Sequence, residues 1–263
     1  MQPPPTGTNA APAGASARRG RLADIPTWTL EVVAIEDLSP SMRLVRFTGP
    51  GLDGFTYRPG QDLMITFPGD APTRRRYTIR RADPGRGTVD IGFALHGTGP
   101  ATRWVEAAGP GDRLEALGPR GNVVVDEQAD WHLFVGDDSA VPAVLAMIED
   151  LAPGTTAVAF LEVDGPADEQ DFVAPAGATV DVRWLHRSGE QPGRTTLLRD
   201  AVAAHPLAEG PGHVYLAGEV GAVFAMRGDL LERGCDPATV DPKGYWSLGK
   251  GNLGHGEPER PQA

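Results

Sequence analysis

The chain has 263 residues, 40% of them hydrophobic, a formal net charge of -11 and one cysteine, Cys235. An acidic balance argues against a general nucleic-acid binder, whose phosphate contacts need Lys and Arg in excess. A lone cysteine excludes an internal disulfide and any zinc or iron–sulfur centre drawing several thiolates from this chain, so redox chemistry here needs an organic cofactor or a metal carried in by the substrate.

Residues Met1 to about Arg21 contain Pro3-Pro4-Pro5 and many small residues. Such a composition buries too little surface to offset the entropy of ordering it, and residues 1–24 are expected as a disordered tail. That stretch lacks the apolar core of a signal peptide, and Arg18-Arg19 reads as a charged pair rather than an export signal. No apolar run approaches the ~18–20 residues that cross a bilayer, so a cytoplasmic protein without integral membrane association is expected.

From Trp28 to about Asp126 the chain reads as short strands: Trp28 to Val33, Met42 to Phe47, Asp62 to Phe67, Arg76 to Arg80 and Val89 to Leu95. In the last of these the large apolar residues fall on alternate positions, the signature of one buried face. Gly49-Pro50-Gly51, Pro59-Gly60, Pro84-Gly85 and Pro110-Gly111 punctuate the series. Strands at such short spacing predict a closed antiparallel β-barrel, assigned to residues 25–127.

After Trp131 the pattern changes. His132 to Gly136 reads as a buried strand, Ser139 as an N-cap and Pro142 as a first-turn proline, with Val141, Val144, Leu145 and Ile148 forming one apolar helical face. Strands Ala157 to Leu161, Val180 to Leu185 and His213 to Ala217 follow, with helices near Thr196 to Ala204 and Val220 to Glu232. This alternation predicts an α/β domain with a parallel sheet over residues 128–256, then a flexible C-terminus at 257–263. Ligands of such a sheet bind at the carboxyl ends of its strands, here after Val135, Leu161, Leu185 and Ala217.

Three constellations carry chemistry. The first, Arg75-Arg76-Tyr77-Thr78-Ile79-Arg80, sets an aromatic ring beside a hydroxyl and guanidinium groups on one strand. It suits a flavin ring and a phosphate, or is simply a basic barrel strand with a packing tyrosine. The second, His96-Gly97-Thr98-Gly99-Pro100-Ala101-Thr102-Arg103-Trp104, frees backbone N–H groups ahead of a helix near Pro100, as a pyrophosphate cradle or a plain tight turn does. In the third, Lys243-Gly244-Tyr245-Trp246 with Lys250, an aromatic pair sits among cations. It either stacks on a flat cofactor and attracts an anionic chelate, or staples the C-terminal end by packing.

Together these segments resemble the siderophore-interacting protein family of ferredoxin-reductase-like flavoproteins. The likeness rests on Arg-x-Tyr-Thr, His-Gly-x-Gly-Pro-Ala with Arg-Trp following, Pro110-Gly111-Asp112 before Gly118-Pro119-Arg120-Gly121, Gly136-Asp137-Asp138-Ser139-Ala140-Val141-Pro142-Ala143, Trp184-Leu185-His186-Arg187, Ala217-Gly218-Glu219 and the Tyr-Trp ending, spanning about Trp28 to His255. Thr98 stands where the family often has an acid.

The resemblance implies FAD held by Arg75, Tyr77, Thr78, Ile79 and Arg80 on the strand, and by His96, Gly97, Gly99, Pro100, Ala101 and Thr102 on the turn. Tyr245 is implied as a further contact. NADPH or NADH is implied as donor near Gly136, Asp137, Ser139 and Gly218, with ferredoxin as another possible donor. Glu219, Asp138 and Trp246 are expected beside the hydride path; the acids alternatively sit at helix N-termini. Arg187 either pairs with a 2′-phosphate, favouring NADPH, or is a solvated loop residue. Arg74, Arg76, Lys243 and Lys250 are expected to steer the substrate, and no resident metal site is expected. The function implied is reduction of a ferric siderophore by a monomer. A flavin oxidoreductase with another acceptor, or a non-catalytic siderophore-binding protein, would share the fold.

Overall fold

The structure, a computed structural model, describes residues 25–69, 72–95 and 99–249. Six strands, β1 (Thr27–Ser39), β2 (Met42–Thr48), β3 (Asp62–Phe67), β4 (Thr73–Asp83), β5 (Thr88–Ala94) and β6 (Arg113–Arg120), close a barrel in the order β1-β2-β5-β4-β3-β6. Every neighbouring pair is antiparallel. Alternation explains its core: Val45 and Phe47, Leu63, Ile65 and Phe67, and Val89, Ile91 and Phe93 point inward from successive strands and are buried. The interior is completed by Ala101 and Val105 of α1 (Pro100–Ala107).

Five further strands, β7 (Trp131–Asp137), β8 (Thr156–Val163), β9 (Thr179–His186), β10 (Gly212–Glu219) and β11 (Val240–Trp246), form a parallel sheet ordered β11-β10-β7-β8-β9. Its two faces are separate cores. Phe134, Ala159 and Tyr215 pack with α2 (Val141–Ile148), while Leu133, Val135, Phe160 and Leu216 pack with α3 (Leu197–Ala204) and α4 (Val220–Glu232). Among the described residues, no helix is long and apolar enough to cross a membrane. The chain is therefore a barrel followed by a parallel α/β sheet, the architecture its patterning predicts.

The departures have local causes. β1 runs to Ser39 rather than Val33, because bulges between Val32 and Ala34 and between Asp37 and Ser39 break its alternation while pairing with β2 continues. β6, with Leu114 and Ala116 alternating inward, adds a strand to those read from the sequence. Pro242 and Gly244 hid β11, and a proline is tolerated there because β11 is an edge strand. Ser139 is not the helix cap. Asp137 accepts from Ser139 N (3.0 Å) and caps a short 3-10 turn before α2. Nor has α2 a solvent face, since all eight of its residues are buried between the sheet and the barrel.

Polar contacts join the two units. Arg80 of β4 makes a bidentate pair with Glu149 (2.5 and 2.7 Å), and Asp168 accepts from Ser41 N and Oγ (3.0 and 2.6 Å). Lys243 of β11 reaches Asp62 and the carbonyl of Gly60 (both 3.1 Å), and Thr78 Oγ1 lies 3.0 Å from the Tyr245 hydroxyl. Close approach depends on Gly92, where a Cβ would stand 2.6 Å from Pro142 Cγ.

Candidate active site

β4 and β11 face each other where the two units meet. Thr78 is buried and its hydroxyl is fixed by Tyr245, over whose ring the Lys243 ammonium sits at 5.6 Å. Tyr77 packs on Phe93 (4.4 Å between centroids) and Phe67 (5.8 Å) yet stays partly exposed. Burial pushes its hydroxyl upward, opposed only in part by the Arg75 charge, so it stays protonated at neutral pH. Arg75 is partly buried, donates to the Arg74 carbonyl (2.6 Å) and has no carboxylate partner among the described residues.

The α1 segment comes to the same end of the barrel. Trp104 packs on Phe67 at 5.9 Å, so β4 and α1 share one aromatic cluster. Gly99 is the N-cap of α1, with no side-chain cap bond, no acid in the first turn and open space where a Cβ would stand. These residues fit a flavin dinucleotide: a guanidinium without an acid partner, an oriented hydroxyl and an aromatic ring stand beside a helix end suited to phosphate. Pro100 and Thr102 lie in that first turn, whereas Ala101 turns its side chain into the barrel core. His96, Gly97 and Thr98 lie outside the described residues, as does Lys250.

Two members of the β4 set have other work. Ile79 is fully buried in the barrel, leaving only its backbone for a ligand, and Arg80 is held by Glu149. Arg76 forms a bidentate pair with the buried Asp62 (2.9 and 2.7 Å), which also takes Lys243. Of the cations expected to steer substrate, Arg76 and Lys243 are thus partly neutralised, while Arg74 is exposed on β4.

At the carboxyl edge of the sheet Asp137 is a hub. Its Oδ1 accepts from Ser139 N and Oγ, and its Oδ2 from Glu219 N and Trp246 Nε1 (both 2.8 Å). Gly218 is at φ 135°, and a Cβ there would lie 2.4 Å from Asp137 Oδ2; one on Gly136 would lie 2.5 Å from the Ala140 Cβ. These glycines admit neighbouring protein atoms, not a pyrophosphate. Glu219 is the N-cap of α4, accepting from Ala222 N (2.8 Å) and from Leu248 N (3.1 Å).

Asp138 and Arg187 form a buried pair. Their side chains are 2% and 3% exposed and joined at 2.8 Å, with Glu162 3.7 Å from the same guanidinium. Arg187 is therefore not a solvated loop residue, and the Asp138 carboxylate is taken up by its guanidinium. Sequence reading missed Glu162 and Thr195, whose Oγ1 donates to Glu162 at 2.6 Å. Burial pushes Glu162 up, Thr195 and Arg187 oppose the rise, and Asp138 adds to it. The signal was a carboxylate at the end of the second parallel strand.

Comparison with known proteins identifies the family of both units. Residues 66–123 match the siderophore-interacting FAD-binding domain and residues 129–249 the siderophore-interacting protein model. The chain is 30% identical to ferric vibriobactin reductase of Vibrio cholerae, over 84% of this chain and 89% of that one. It is 28% identical to an Escherichia coli NADPH-dependent ferric-chelate reductase, over 85% and 94%. A solved siderophore utilization protein from T. fusca superposes with a TM-score of 0.80 at 33% identity, covering 88% of this chain and 96% of that one. With the barrel wall, the α1 turn and the β11 wall all in place, this chain belongs to the siderophore-interacting protein family and carries its FAD-binding domain.

Proposed function

We propose that the protein is a ferric-siderophore reductase, passing electrons from NAD(P)H through FAD to siderophore-bound Fe(III). The observation that carries this reading is the Thr78–Tyr245 contact at 3.0 Å, which sets the flavin strand of the barrel against the last strand of the sheet. Bound FAD supplies the conversion of a two-electron donor into single-electron transfers, which side chains alone do not perform.

The chain's own residues bind and orient. Arg75 offers its guanidinium to a phosphate or to the ring edge, and Thr78, held by Tyr245, presents an oriented hydroxyl. Tyr77 offers a ring face to the cofactor, and the first turn of α1 receives the pyrophosphate. Trp246, tied by its indole N–H to Asp137, stands on the sheet side. Arg74 and the Lys243–Arg76 pair around Asp62 provide local positive charge for an anionic chelate on an otherwise acidic protein. Fe(II) is released because hard oxygen ligands hold it far less tightly than Fe(III). A cytoplasmic monomer is the form in which we propose it acts.

The test is anaerobic. Purified protein should be yellow, bleach on addition of NADPH or NADH, and recover its colour on mixing with a ferric siderophore while an Fe(II)-specific dye develops. A colourless protein that still binds ferric chelates would mark a carrier. Equal turnover of quinones and ferric chelates would remove the substrate assignment.

A further inference from the structure

The chain leaves β9 at one edge of the parallel sheet and enters α3 at Leu197, and the residues between lie across the carboxyl ends of the strands. Their root is pinned to β8 and the turn after it. Arg187 N and Ser188 N donate to the carbonyls of Val163 and Asp164 (2.9 and 2.8 Å), and Gly189 N donates to Asp164 Oδ1 (2.9 Å). By Gly193 the segment has reached the far side of the sheet. A Cβ there would stand 2.9 Å from Trp246 Cη2 and 3.1 Å from Glu219 Cγ, so its backbone lies directly on the residues that end β11 and β10. Thr195 then returns to β8, where its hydroxyl donates to Glu162 at 2.6 Å.

The middle of this segment is weakly held. Glu190, Gln191 and Arg194 are exposed, and among the described residues the hydrogen bonds of residues 190–194 are local: Glu190 N to the Arg187 carbonyl (3.2 Å) and Arg194 N to that of Gln191 (3.1 Å). Gly189 and Gly193, at φ 90° and 74°, bracket it, and hinges are commonly small residues. Beneath it lies a cavity of about 310 Å³, lined by Gly193 and Thr195 of the segment and by Ala217, Glu219 and Ala222 of the sheet and α4. Parallel α/β sheets bind their ligands at this edge. Small-molecule pockets run from about 300 to 1,000 Å³, and a dinucleotide, with two nucleotides to house, needs more than that lower limit.

We infer that residues 188–195 are a strap that covers the carboxyl edge of the sheet in the resting protein and has to lift before a nicotinamide dinucleotide enters, with Gly193 and Thr195 as its fastenings. This rests on the nicotinamide-donor reading of the proposed function. The apparent affinity for the donor is then the intrinsic affinity reduced by the fraction of molecules whose strap is lifted. Thr195 acts through the strap and not on the donor, because its hydroxyl is spent on Glu162 while the strap is down.

Tryptic cleavage after Arg194 in the FAD-loaded protein, followed by mass spectrometry, reports lifting of the strap, because a protease cuts the locally opened chain. Saturating ADP-ribose, which is not a reductant, should speed that cleavage at least about threefold. Protection or an unchanged rate overturns the inference. Calorimetric titration should show Thr195→Val binding ADP-ribose about tenfold more tightly than wild type, with Thr195→Ser, which keeps the hydroxyl, matching wild type. Equal or weaker binding by Thr195→Val overturns the inference as well. Failure of both NADH and NADPH to reduce the flavin of either protein removes the donor reading and the strap with it, whereas reduction without these ADP-ribose effects removes the strap alone. Cleavage of wild type decides the matter even if a variant does not fold.

Discussion

Asp138 and Arg187 show how an ionic group near a ligand site can belong to the protein's own interior. Removing one partner of a buried pair leaves the other charge desolvated and unmatched, which costs about 3–5 kcal/mol. Asp138→Ala should therefore lower the urea-unfolding free energy by about that amount, a loss well beyond that of an exposed carboxylate. Arg75 is the opposite case, a cation with no acid partner among the described residues. Its expected loss is in cofactor affinity: Arg75→Ala should weaken FAD binding by about ten- to a hundredfold in a fluorescence-quenching titration, with little change in apoprotein stability. The Arg-x-Tyr-Thr motif was legible because residue types and spacing state what a strand can offer a flavin. The fate of Arg187 was not, since whether an arginine after a strand points outward depends on Glu162 and Asp138, which approach it from other strands.

At the scale of single elements, β7 carries a proton-sensitive group in its first half. His132 is 3% exposed, its Nδ1 lies 3.5 Å from the Tyr215 hydroxyl, and burial first, then the nearby His213, push its pKa down to about 4. Asp126, the other charged group beside it, opposes that shift. The unfolded chain takes up this proton near pH 6.5 and the folded chain resists it, so stability is unaffected above pH 6.5 and falls as pH drops from 6.5 toward 4. The full loss is about 3 kcal/mol. Below that window the carboxylates take over. Burial raises Asp90, but its bonds from Arg46 and Arg81 more than offset this and hold it below its ordinary value, so its contribution is lost only at lower pH. Urea titrations at pH 7 and pH 4.5 should show the decline in wild type and a much flatter response in His132→Gln. The strand itself was legible from its run of apolar residues. The burial of its histidine was not, because the linker residue Asp126, whose N–H donates to Tyr215 (2.8 Å), supplies part of the surrounding wall.

Over the whole molecule, the barrel and the sheet are joined by the buried packing of α2 against the barrel together with ionic and hydrogen-bonded contacts. Arg80–Glu149 is the most extensive of these, with both oxygens engaged and the arginine 12% exposed. Glu149→Ala should loosen the junction by about 1–3 kcal/mol. Calorimetry should then show the single unfolding transition of wild type broadening or dividing into two. The barrel and the parallel sheet were each legible from periodicity alone. Their mutual placement was not, since Arg80 and Lys243 read in sequence as ligand contacts and Gly92 as one residue of a strand, and only three-dimensional proximity reveals their partners.

The 167-residue separation between Thr78 and Tyr245 sets a timetable for biosynthesis. At about 5–20 residues per second a ribosome needs on the order of 10–30 s to deliver β11 after β4 has emerged. During that interval the barrel strand exists without the strand that faces it, so the nascent chain gains the Thr78–Tyr245 contact only as the last described strand docks.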